Sequence, residues 1–149
     1  MQPNRLVPAF VAGFIAVLVF HQGMLNVLAA LDITSRSPFP DESTWPFGLP
    51  QIWSSAFWGG VWGLVLIAVH RHFPAGKAYW LAVLAFGALA PTLVSAFVVA
   101  PLQGAEIAGD GDALAILTGV LVNAAWGLGT AALFAAFMNP RGGLAPVRQ

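Results

Sequence analysis

The chain has 149 residues, of which 58% are hydrophobic and 8% charged, against about a quarter charged in a water-soluble domain. Its six acidic and six basic residues cancel, which removes the positive field a nucleic-acid binder needs, so nucleic acid is not an expected partner. Cysteine is absent, and with it disulfides, thiolate metal sites and cysteine nucleophiles.

Four stretches free of Asp, Glu, Lys and Arg predict helices at about 6–29, 51–70, 78–101 and 113–138, with loops at about 30–50, 71–77 and 102–112. Each approaches the roughly 20 residues that a helix rising about 1.5 Å per residue needs to cross a hydrocarbon core of about 30 Å. The fold expected is all-α: one integral membrane four-helix bundle made of two in-out-in hairpins.

The first span follows Arg5 and has Pro8 in its first turn. An apolar run behind a lone arginine also fits a secretory leader, with Val27 to Ala30 as its cleavage region, but the run from Leu6 is too long for a leader core. The following loop holds Pro38, Pro40, Pro46 and Pro50 with Phe39, Trp45 and Phe47. Proline stiffens it and aromatic rings favour the head-group region, so it is expected to lie on the membrane surface or cap the bundle, the alternative being a docking surface.

The second span, with Pro50 expected in its first turn, presents Ser55, Gly59 and Gly63 on one face, and His70 and His72 close it beside Arg71 as expected interfacial groups. The third contains Pro91, which withholds an N–H from the Gly87 carbonyl, and Pro101 is expected just past its last turn. Asp110 and Asp112 precede the fourth span as expected caps. Gly119, Asn123 and Gly127 share a face of that span, and Pro140 follows it. Small residues at four-residue spacing let helix backbones approach closely, which assigns Gly59, Gly63, Gly119 and Gly127 to helix packing. Val61-Trp62-Gly63-Leu64 and Ala125-Trp126-Gly127-Leu128 occupy the second helix of each hairpin, as a duplicated hairpin would place them.

Orientation follows from the basic residues. Arg5, Arg71, Lys77, Arg141 and Arg148 fall on one side, whereas the opposite loops hold Arg36 and every acid. By the positive-inside rule both termini are expected in the cytoplasm. Arginine outnumbers lysine five to one in an alanine-, glycine- and proline-rich chain, which fits a bacterial inner membrane.

Polar residues inside the spans gather toward the periplasmic side. At about 1.5 Å per residue from each span's midpoint, His21 lies roughly 5 Å and Asn123 about 4 Å toward it, close enough in depth to meet. One reading has His21, Gln22 and Asn123 bonding across helices, with Thr92 and Ser95 returning their hydroxyls to carbonyls one turn earlier. The other makes His21, Gln22, Asn26, Ser55, Trp58, Thr92, Ser95, Asn123 and Trp126 the lining of a pocket for a lipid head group, quinone or similar amphiphile, with Trp62 as a further wall.

The motifs His21-Gln22-Gly23, Phe57-Trp58-Gly59-Gly60 and Asn123-Ala124-Ala125-Trp126-Gly127 resemble those of an uncharacterised family of small bacterial four-helix inner-membrane proteins. The resemblance implies the architecture and no activity.

No acid lies within a span, which removes the carboxylate of a proton-coupled carrier. His21 lies too far from His70 and His72 to share a haem iron within one chain, and Glu106 with Asp110 and Asp112 is a short ligand set for calcium. Catalytic residues, cofactors and metals are therefore not expected. The function expected is an accessory, assembly or scaffolding membrane subunit; the alternative is a transporter or binder of a small amphiphile. Lipid is the expected partner, with a membrane protein or a second copy as a further one.

Overall fold

Long runs of Ala, Leu, Val and Phe with few interior breakers favour the helix, which satisfies every peptide group within one segment. In the computed structural model, which describes residues 3–44 and 48–139, four helices are long and apolar enough to cross a membrane. They are α1 (Leu6–Ala30), α2 (Gln51–His72), α3 (Lys77–Leu102) and α4 (Ala113–Met138). The end bearing the 31–50 and 103–112 connections is called the upper end here, and the end bearing the 73–76 turn the lower end.

Two helices are interrupted by a wide π turn, at Val17–His21 in α1 and Ser95–Val99 in α3. The second carries α3 beyond its expected end. Ala100 donates its N–H to the Ser95 carbonyl, and the helix then passes through Pro101 to Leu102. The proline lacks a donor, but the ladder has already been reset by the wide turn. Pro50 is also displaced from its expected place: it is extended and precedes α2 rather than sitting in the first turn.

The connection from α1 to α2 is more ordered than its proline content foretold. Ser43–Thr44 (β1) and Leu49–Pro50 (β2) form a short antiparallel ladder. Gln51 and Ile52 donate their N–H groups to the carbonyls of Glu42 (2.9 Å) and Pro40 (3.1 Å), so loop carbonyls satisfy donors that a helix start leaves open. Trp45, Pro46 and Phe47 lie outside the described residues, as do Pro140, Arg141 and Arg148. Asp112 caps α4 as expected, its Oδ1 accepting from Leu114 N at 2.9 Å and Ala115 N at 3.3 Å. Asp110, expected to share that role, instead takes a left-handed backbone (φ 56°) in the turn before it.

Each hairpin is joined where backbones touch. A Cβ on Gly13 would strike the Gly59 carbonyl and come within 3.0 Å of Gly63 Cα. A Cβ on Gly87 would lie 2.7 Å from the Asn123 carbonyl and 2.9 Å from Gly127 Cα. One residue turn below, Ala9 meets Gly63 and Val83 meets Gly127 through their carbonyls. The α1–α2 crossing is thus repeated at α3–α4, with one fixed offset relating α1 to α3 and another relating α2 to α4.

Between hairpins, α1 packs antiparallel on α4. Phe20 lies on Gly129, Val17 and Ala16 cluster with Trp126, and Leu25 and Leu28 cluster with Val122. At the lower end His70, expected as an interfacial group, is 7% exposed, with its ring against Tyr79 and Phe134 at centroid distances of 6.4 and 6.1 Å. The short 73–76 turn brings Tyr79 of α3 to the imidazole, and Phe134 packs on it from α4. His72 remains exposed and accepts from Arg71 Nε at 3.1 Å.

Candidate functional site: polar groups of the upper half

The helix crossings decide where each polar side chain of the upper half finds a partner. Because Gly87 and Gly127 let α3 and α4 touch, Thr92 reaches the neighbouring backbone. Its Oγ1 donates to the Gly119 carbonyl at 3.2 Å and accepts from Asn123 Nδ2 at 2.9 Å. A Cβ on Gly119 would lie 3.4 Å from Thr92 Cγ2, an ordinary contact, so this bond does not depend on glycine as the Gly87–Gly127 approach does. The expectation that Thr92 bonds back one turn along its own helix is therefore corrected: the close crossing offers it an acceptor and a donor on α4.

Gln22 is 2% exposed, and its Oε1 accepts from the Phe39 backbone N–H at 2.9 Å. It bonds the connection and not another helix, correcting its place in the interhelical reading. Phe39 has a positive φ of 52°, a conformation that non-glycine residues adopt at some energetic cost. Holding its N–H on a buried amide fixes the chain over the top of α1.

Trp126 is 2% exposed and donates its indole N–H to the Gly13 carbonyl at 3.0 Å, tying α4 to α1. Thr130, one turn further, returns its hydroxyl to the Trp126 carbonyl at 2.8 Å. Sequence reasoning passed over Thr130, although its four-residue spacing from Trp126 is the ordinary signature of such a back-bond. It also passed over Thr118, whose fully buried Oγ1 has no hydrogen-bond partner among the described residues.

The remaining residues of the anticipated pocket do not converge. His21 Nδ1 is buried and has no partner among the described residues, so it does not join Asn123 or Gln22 in an interhelical bond. Asn26 and Ser95 are exposed on the outside of their helices, Ser55 is half-buried, and Trp58 is 57% exposed. Trp58 and Trp126 differ in environment, one ring accessible and the other enclosed. Chemically, the upper half offers interhelical and helix-to-loop bonds that set register, each linking a different pair of elements. Among the described residues no group of three or more His, Asp or Glu side chains gathers as a metal site. Comparison with known protein families, with curated proteins and with solved structures finds no match, so the motif resemblance carries no family assignment.

Proposed function

We propose that the chain is a multi-pass protein of a bacterial inner membrane, lower end and termini in the cytoplasm, acting as an accessory, assembly or scaffolding subunit. Among the described residues, the orientation is supported by Arg5, Arg71 and Lys77 at the lower end against Arg36 alone at the upper end. The functional reading is carried by one observation, the surface of α3. Only 17% of its most apolar stretch is buried, against 44% for α4. Leu89, Leu93 and Phe97, spaced four apart, are 54%, 51% and 56% exposed. Such a stripe fits the knobs a neighbouring helix accepts.

The test is site-specific photo-crosslinking in native membranes. A crosslinker at Phe97 is expected to give one protein adduct of defined mass, while the same group at Val11 on α1 gives lipid adducts. Lipid adducts alone at both positions would defeat the scaffold reading and return attention to an amphiphile binder.

A further inference from the structure

The two hairpins share a crossing, and that likeness exposes a difference between them. The offset that carries Gly13 to Gly87 also carries Ala9 to Val83 and Val17 to Pro91; the offset that carries Gly63 to Gly127 also carries Gly59 to Asn123 and Trp62 to Trp126. Each first helix also contains one π turn above the crossing. The hairpins are therefore repeats of the same orientation. If they were related by a two-fold axis throughout, the α1–α4 contact would recur between α3 and α2.

It recurs only in the lower half. There the α2–α3 edge is closed by rings, with Phe73 against Tyr79 and Phe86 and with Trp62 6.2 Å from Phe86. Above that level the counterparts of closed contacts are open. Leu25 and Val122 are 5% and 3% exposed, whereas their repeat counterparts Val99 and Trp58 are 39% and 57% exposed. The counterpart of the buried Gly129 is Val65, 39% exposed, while Val94 at 36% is as exposed as its counterpart Phe20 at 38%.

At the head of this open seam both halves of a latch are in place and unjoined. In the closed interface the Gly13 carbonyl receives the backbone N–H of Val17 and the indole of Trp126. At the corresponding place Pro91 stands where Val17 does, so the Gly87 carbonyl receives no N–H from the residue one turn on. Trp62, the counterpart of Trp126, donates to no atom among the described residues, and its ring already rests on Phe86, the neighbour of Gly87. A carbonyl lacking its donor and an indole lacking an acceptor lie on facing helices.

We propose that the α2–α3 seam closes by a hydrogen bond from Trp62 Nε1 to the Gly87 carbonyl, the repeat counterpart of the Trp126–Gly13 bond. The protein then has two states, one with the upper α2–α3 edge open, as in this structure, and one with Val65 brought against Val94. The inference rests on the repeat and is independent of the scaffold reading.

The absence of cysteine permits a direct test in the full chain in native membranes. Val65→Cys with Val94→Cys is expected to form an intramolecular disulfide on oxidation, because the closed state brings the two positions within disulfide reach. Trp62→Phe, which keeps the ring but removes the donor, should lower that yield by roughly fivefold, the effect of one ordinary hydrogen bond on a two-state equilibrium. Leu25→Cys with Val122→Cys, across the formed interface, should cross-link equally with and without Trp62→Phe, which reports that the fold persists. The proposal is overturned if the 65–94 pair does not cross-link while 25–122 does, if its yield ignores Trp62→Phe, or if the bond forms between two copies, which would assign the seam to a second chain.

Discussion

The buried amide of Gln22 holds the backbone N–H of Phe39 at 2.9 Å, so a side chain of α1 supports a left-handed residue of the connection to α2. Removing the amide leaves that N–H without its acceptor and frees a backbone that is already in an uncommon conformation. Gln22→Ala should destabilise the protein by about 1–3 kcal/mol, as expected for orphaning a part-buried donor. It should also speed proteolytic cleavage between residues 34 and 44, measured in detergent against the parent chain. Unchanged cleavage together with unchanged melting would show that the connection is held by its ladder alone.

Thr92 and Asn123 should behave as one unit. In a double-mutant cycle with Thr92→Val and Asn123→Ala, the coupling is expected to be about 0.6 kcal/mol, with about 1.7 as an upper limit for such bonds between membrane helices. His21→Ala should add independently to either substitution, because His21 bonds neither partner. Unfolding by sodium dodecyl sulfate titration reads all these terms. Strong coupling between His21 and Asn123 would contradict the geometry.

The helices were legible because length and the absence of charge are one-dimensional properties, read directly from runs such as Ala113–Met138. The capping role of Asp112 was legible for a similar reason: its carboxylate lies two residues before the N–H from which it accepts. The partners of Thr92, Gln22 and Trp126 were not. Depth in a span gives one coordinate of a side chain, whereas a hydrogen bond needs the rotation of each helix about its axis as well. That rotation is fixed by the glycine contacts, which a low-amphipathicity apolar helix does not reveal. Trp58 and Trp126 illustrate the point, since both follow the same composition and similar depth yet one is outside and the other enclosed. His70 was misplaced because the two aromatic rings against it, Tyr79 and Phe134, come from two other helices.

Glycines of the same helix should respond oppositely to a methyl group. At Gly13 an added Cβ meets the Gly59 carbonyl and Gly63 Cα, and neither is a flexible side chain that can move aside. Gly13→Ala is expected to cost about 1–3 kcal/mol or more, the range for overpacking a filled interface. At Gly23 nothing lies within 4 Å, and alanine there should stabilise α1 by about 0.5–1 kcal/mol through its higher helix propensity. Thermal melts of the two variants in one detergent separate these outcomes by sign.

The tryptophans allow the same contrast for a donor. Trp126→Phe removes the indole N–H that binds Gly13 and leaves a smaller ring in a site that is 2% exposed. The Gly13 carbonyl keeps its bond from Val17, so no acceptor is orphaned. The loss is therefore one net hydrogen bond, about 0.5–1.5 kcal/mol, plus the space vacated by the larger ring. Trp58→Phe alters an outward-facing ring and should stay within about 0.5 kcal/mol of the parent. If the two variants melt together, the α1–α4 contact is not held by this bond, and the repeat argument for Trp62 loses its reference point.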